Sequence, residues 1–205
     1  MAILSSNGKV MAIGGTTIKV NRVDPYNPLN LPPFTIRVRY LDGTEPTVSA
    51  TVSRYSYNPD IFDIYLNSPI WDSLFLNESN LMKVLGANTT QVTSMQYMFR
   101  HCTSLDSVGL FDTSNVTSMY FMFNDCMSLT SIPLLNTSSA VSMSYMFMDC
   151  RNVGSGMLDI YNQASTQDTP PQNHSDVFWY CGMNTETGRA ELAQIPTSWG
   201  GTKVE

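Results

Sequence analysis

The sequence predicts an α+β repeat solenoid, a stack of short parallel strands and helical turns, behind a small N-terminal β region. Three observations carry that expectation. A 24-residue period runs through the middle of the chain. Within each period, apolar residues first follow helical spacing and then strand-like spacing. Residues 1–66 lack the period and alternate like β segments.

Size and composition set the frame. A chain of 205 residues can bury one sizeable core, or one core and a small annex. Charged residues make up 14%, well below the usual quarter, so the surface is built largely from Ser, Thr, Asn and Gln. Runs such as "NTTQVTS" and "NTSSAVS" show this. With 11 basic against 17 acidic residues the net charge is −6, which disfavours nucleic acid and anionic membranes as partners. No apolar run is long enough for a transmembrane helix, so membrane insertion is not expected. "MAILSSNGKVMAIGG" has no basic segment ahead of an apolar run, so no classical signal peptide is expected.

Residues 1–66 are read as an N-terminal β-rich attachment region. "KVMAIGGTTIKVNRV" reads as two short strands around Gly14-Gly15, and "DPYNPLNLPP" as a Pro-rich connector. "FTIRVRYLDGTEPTVSATVSRYSY" alternates like strands about an Asp42-Gly43 turn. The expectation is a small annex packed in part against the first rung, with residues 1–23 as a tail that binds elsewhere.

Residues 67–205 are read as the solenoid. "MFRHCTSL", "MFNDCMSL" and "MFMDCRNV" stand 24 residues apart. The aligned columns are Met95, Met119 and Met143; Met98, Met122 and Met146; Phe99, Phe123 and Phe147; and Cys102, Cys126 and Cys150. Leu105, Leu129 and Val153 keep the same step. Degenerate units flank these. Trp71, Leu74 and Phe75 fall one step before Met95, Met98 and Phe99, while Leu81 and Val84 precede Leu105 and Val108. Phe178 and Cys181 return in register after an insertion of seven, placed in the polar loop "YNQASTQDTPPQNHSD". In each unit the Met, Met, Phe and Cys lie at i, i+3, i+4 and i+7, one face of a short helical segment and hence the predicted core. "SLTSIPLL" follows with Leu129, Ile132 and Leu134 at the LxxLxL spacing of leucine-rich repeats. Such strands would stack in parallel about 4.8 Å apart, in roughly five rungs.

The cysteines do not read as a metal site. Only His101 and His174 could join them, and nothing supplies a tetrahedral set. Adjacent rungs could bring cysteines within disulfide range. A buried cysteine also behaves as a small hydrophobe, and free, stacked core thiols are the expectation. Neither His101 with Cys102 nor His174 with Asp176 forms a credible nucleophile–base pair, because adjacent residues point apart. Gly14-Gly15 and Gly154-Gly156 lack the setting of a phosphate loop. No enzyme activity, catalytic residue, cofactor or metal is expected.

The candidate ligand-contact column is aromatic. Tyr97, Phe121 and Tyr145 recur at the same step, off the apolar face. Rings offer large contact area at small ordering cost, which suits a glycan or protein contact; packing on the annex or on a neighbouring subunit is the equal alternative. Phe111 and Leu135 follow the predicted strands at equivalent places and suggest a second contact stripe.

"FDTSNVTSMYFMFNDCMSLTSIPLLNTSSAVSMSYMFMDC" resembles the surface-protein repeat of mycoplasmas, lactobacilli and listeriae, with units of the form "DTSNVTSMxxMFxxCxxL". It also resembles the related BspA-like leucine-rich repeats. The turn of that repeat maps onto Asp112, Thr113, Ser114, Asn115 and Val116. The resemblance implies a non-enzymatic, surface-displayed solenoid that binds protein or glycan. Many such proteins are cell-wall or lipid anchored, yet this chain has neither a lipobox cysteine near its start nor a sorting tail after "IPTSWGGTKVE". Short repeat proteins of this kind are also similar to open reading frames of tailed phages of gut bacteria. The expectation is therefore an extracellular virion decoration or fibre protein, attached through its N-terminal region. The alternatives are an exported bacterial cell-surface protein and a purely architectural coat protein. A homo-oligomer is one further expectation, and in the phage setting a trimer would suit a fibre.

Overall fold

The computed structural model describes residues 12–13, 16–17, 31–41, 44–48, 50–54, 60–109 and 112–202. The Asp42-Gly43 turn, most of the Pro-rich connector and Phe111 lie outside them. Strands β1 (Ala12–Ile13) and β2 (Thr16–Thr17) pair antiparallel, flanking Gly14-Gly15.

A mixed sheet holds the remaining strands: β3 (Thr35–Tyr40), β4 (Thr51–Arg54), β5 (Ile61–Tyr65), β6 (Leu81–Asn88) and β7 (Ser107–Val108). Their order is β4-β5-β3-β6-β7. β3 alternates as a strand with one buried face should, placing Ile36, Val38 and Tyr40 in the core. Arg37 and Asp63, opposite each other on β3 and β5, join side by side at 2.6 and 2.7 Å. That bidentate pair pins the register where each side chain is mostly covered. β6 pairs antiparallel with β3 and parallel with β7, setting Val84 opposite Val108 at the 24-residue step.

The expected solenoid of parallel strands and helical turns is not what forms. Among the described residues, regular secondary structure is the β1-β2 pair, a five-stranded mixed sheet and two short α-helices, α1 (Met157–Ser165) and α2 (Glu186–Leu192). The Met-Phe-Cys segments are successions of turns. Tyr97 and His101 have φ of 57° and 61°, and the same two positions recur as Phe121 and Asp125, then Tyr145 and Asp149. A left-handed residue every fourth position ends any right-handed helix. Turns closed three residues on, such as Met98 N–H to Met95 C=O at 3.3 Å, still return the side chain to the same face. That is why helical spacing misled. The predicted strand over Leu129–Leu134 fails too: Pro133 has no N–H to donate to a ladder, and Leu134 is 69% exposed. Beyond β6 with β7, parallel pairing among the units shrinks to single bridges, Ile70 with Ser94, Ser94 with Ser118, Ser118 with Ser142, and Ser142 with Asn173.

The units nevertheless lie one on the next, and the backbone bonds of their Met-Phe-Cys segments run one way, while Thr93, Thr117, Val141 and Asn173 donate back to Pro69, Thr93, Thr117 and Val141. Trp71, Ser73, Phe75 and Asn77 donate their N–H groups to the carbonyls of Ser94, Gln96, Met98 and Arg100. The set repeats from Met95, Tyr97, Phe99 and His101 to the next unit, and again from Met119 and from Met143, at 2.7–3.1 Å. Inside, Phe75, Phe99, Phe123, Phe147 and Phe178 stack face to face at 5.2–6.0 Å between centroids. Each left-handed residue from Ser73 to Asp149 is one of the ladder donors, so the strained backbone is what turns those N–H groups toward the following unit.

The insertion of seven adds a helix where a loop was expected. Met157, Ile160 and Ala164 of α1 are buried on one face, and the helix runs into the polar stretch as far as Ser165. Its start is capped from α2: the Glu191 carboxylate accepts from the N–H groups of Gly156 and Leu158 at 3.3 and 3.1 Å. α2 opens on Thr185, whose hydroxyl oxygen accepts from Gly188 N–H at 2.9 Å. Trp199 then closes the last unit, its carbonyl taking Phe178 N–H and its ring stacking on His174 at 4.3 Å. One cluster of buried residues runs from Ile36 to Trp199.

Phe123→Ala should cost about 3–5 kcal/mol, read from urea unfolding, because it opens a cavity between two stacked rings. Exposed Ser73 has φ 59°. Ser73→Gly releases about 1–2 kcal/mol of backbone strain against about 0.4–1 kcal/mol of added unfolded-state entropy. A small rise in the urea midpoint is expected, and Ser73→Val should lower it.

Candidate interaction surface

The predicted core residues occupy one interior. Met95, Met98, Phe99, Met119, Met122, Phe123, Met143, Met146, Phe147 and Phe178 are all buried. Cys102, Cys126, Cys150 and Cys181 are buried with free thiols. The Cys102, Cys126 and Cys150 thiols donate to the carbonyls of Phe75, Phe99 and Phe123, one unit back, at 3.0–3.1 Å. Burial pushes the Cys102, Cys126 and Cys181 thiols well above the ordinary cysteine range. A thiol so shifted stays protonated, the opposite of an activated nucleophile.

Tyr97, Phe121 and Tyr145 come together as expected from their spacing, half-buried on the flank of the stack. Their rings lie 5.6 and 4.7 Å apart, nearly parallel at 12° and 24°. Tyr120 meets Tyr97, Phe121 and Tyr145 edge-on at 5.4, 4.6 and 6.0 Å. The Arg100 guanidinium lies 5.0 Å from the Phe121 centroid and 5.7 Å from that of Tyr97. Its Nε donates to Asn124 Oδ1 at 2.9 Å, and Asn124 Nδ2 donates in turn to Met148 C=O at 3.0 Å. Partial burial raises the Tyr97 phenol, with the Tyr120 phenol adding to the shift and Arg100 opposing it.

Two features were not legible in the 24-residue column. Tyr120 and Arg100 complete the cluster, yet neither repeats at the next step. Their only signal was adjacency, Tyr120 beside Phe121 and Arg100 three residues after Tyr97. At the far end Trp179 and Tyr180 stack at 4.9 Å, are 44% and 42% exposed, and carry Arg151 over the Tyr180 ring at 5.1 Å.

The second proposed stripe is corrected at Leu135. It is 1% exposed and packs inward, while its neighbour Leu134 faces solvent. The failed strand alternation is the reason: without the pleat, the outward position moves by one residue. His101 lies in solvent between Asn77 and Asp125, with Nδ1 at 2.9 Å from Asn77 Oδ1 and Nε2 at 3.3 Å from Asp125 Oδ2.

The model of the family described as "Mycoplasma protein of unknown function, DUF285" matches residues 71–175. The chain belongs to this family. The matched span opens at Trp71, the first ladder donor, and ends at Ser175, inside the last unit. This agrees with the mycoplasma side of the resemblance carried by the Met-Phe-Cys units. No curated protein and no solved structure matches this DUF285 member.

In this family member the thiols should be silent until the stack opens. Alkylation in native buffer is expected to label none of the four cysteines, and alkylation in denaturant without reductant to label all four, both read by intact mass.

Proposed function

We propose that this protein is a non-enzymatic interaction module that presents the Tyr97, Tyr120, Phe121 and Tyr145 cluster to a protein partner outside the cell. The observation that carries the reading is how the rings are held. Each of Tyr97, Phe121 and Tyr145 sits at positive φ, where a bulky residue is strained and Gly or Asn would be the easy choice. Ser73 and Asp176 hold the same place in the end units, so the backbone does not require a ring there. An aromatic ladder kept at such positions is the kind of local cost that collects at binding surfaces. The ring faces are turned to one another, which leaves edges and phenol groups outward. A sugar stacks on an open ring face, whereas a protein side chain packs well against edges with a guanidinium at hand. Protein is therefore the preferred ligand class over glycan.

The surface setting rests on the family resemblance. A virion decoration or fibre, or an exported bacterial surface protein, would each display such a face, with residues 1–66 as the attachment. An architectural coat role is the second reading, favoured by the self-packing of the rings. Free, buried thiols and a solvent-facing His101 are in keeping with a non-enzymatic reading.

Binding of the labelled full chain to whole bacteria, mucin and capsule glycans separates these. The Tyr97→Asn, Phe121→Asn, Tyr145→Asn triple variant is the matched control, since Asn tolerates positive φ. The expected result is cell binding that disappears in the variant and after protease treatment of the cells, with the variant still cooperatively folded. Binding that survives protease but not periodate would replace protein by glycan. No binding by the intact chain would leave the architectural reading.

A further inference from the structure

A second site lies on the opposite kind of surface, at the break in the repeat. Helix α1 stands beside the Asp112 and Asn136 turns and leaves a cleft of about 540 Å³, lined by Asp112, Leu134, Leu135, Asn136, Gln163 and Gln167. That volume is within the range of about 300–1,000 Å³ found for small-molecule sites.

The cleft exists because the repeat stops there. Thr89 and Thr113 are buried, and each hydroxyl donates to a backbone carbonyl of the following unit, Asp112 C=O at 2.6 Å and Asn136 C=O at 2.9 Å. Thr137 has no such unit beside it. Its hydroxyl and its N–H both donate instead to Gln163 Oε1 of α1, at 2.8 and 2.9 Å. A helix side chain thus substitutes for a strip of backbone, and a helix does not fill the same space.

The hydrogen bonds fix which way the amides point. Gln163 Oε1 is held by Thr137, so its Nε2 is turned away from that residue. Asn136 Oδ1 accepts from Ser138 N–H at 2.9 Å, which orients its Nδ2 in the same manner. Gln167 Nε2 is buried with no partner among the described residues. Asp112 Oδ1 accepts from Ser114 N–H at 2.8 Å, leaving Oδ2 as an acceptor. Three amide side chains, those of Asn136, Gln163 and Gln167, and the Asp112 carboxylate line the cleft, with Leu134 exposed beside them. Hydroxyl groups, each both donor and acceptor, match that mixture. An anion would meet the Asp112 carboxylate and a net charge of −6. A cation would meet the amide donors.

We propose that this cleft binds a neutral saccharide, its hydroxyls bridging Asn136 Nδ2, Gln163 Nε2, Gln167 and Asp112 Oδ2, with Leu134 covering an apolar C–H face. The site is separate from the aromatic ladder, and its occupancy does not depend on the ladder's function.

The test is calorimetric titration of the full chain with lactose, maltose and N,N′-diacetylchitobiose. Asn136→Asp and Gln163→Glu keep the oxygen that Ser138 or Thr137 needs and replace only the donor. Each should weaken binding of the responding sugar about tenfold, as loss of one good hydrogen bond does, with melting unchanged. Tyr97→Asn should bind as the parent does. The proposal is overturned by the absence of binding to all three sugars at millimolar concentration. It is equally overturned by binding that both amide variants retain, or that Tyr97→Asn removes. Should either amide variant melt early, Gln167→Ala serves in its place, since Gln167 Nε2 makes no hydrogen bond within the described structure.

Discussion

The repeat region depends first on a ladder of backbone bonds between alternate residues of successive Met-Phe-Cys segments, all of them running one way. In a parallel sheet each strand both donates to and accepts from its neighbour. Here the Met-Phe-Cys segments donate to the unit that follows and accept from the unit before. To aim every second N–H the same way, the backbone takes a left-handed turn at every second donor, and the positive φ values at Tyr97, His101, Phe121, Asp125, Tyr145 and Asp149 are those turns. The Phe column and the thiol-to-carbonyl bonds follow from the resulting register, because identical side chains then fall above one another.

A one-way ladder has unlike ends. At the start, the carbonyls of Ile70, Asp72, Leu74 and Leu76 have no partner among the described residues, and Ile70 is 54% exposed. At the finish the donors face outward, and there the chain folds back: Trp199 supplies a carbonyl to Phe178 and a ring to His174. Helix α2 braces that return, and through Glu191 it also caps α1. The five-stranded sheet grows from the other side, sharing β6 and β7 with the first repeat units. Sheet and units therefore enclose a common core.

The two proposed surfaces differ because the ladder treats them differently. On the aromatic flank the period is intact, so like rings stack and spend their faces on each other. At α1 the period is broken, so polar groups that would have met backbone meet a glutamine and space. Repetition makes a continuous wall, and its interruption makes a concavity.

The sequence by itself determined which residues lie inside and which lie level with one another. Met95, Met98, Phe99 and Cys102, with their equivalents, had to be core because only a shared interior explains apolar residues kept at a fixed step. The insertion of seven placed Phe178 over Phe147 for the same reason. What the sequence left open was the backbone between those points. Helical turns and alternating-handed turns both return a side chain to one face at i, i+3 and i+4, and periodicity cannot separate them; contacts with the neighbouring unit did, by rewarding N–H groups that point along the stack. The expected strand at Ile132 gave way because Pro133 withholds an N–H, and that moved Leu135 inward and Leu134 out. Arg100, Tyr120 and Gln163 acquire their roles only through partners on other units or on α1. Those pairings have no fixed step in the chain, so tertiary packing alone decided them.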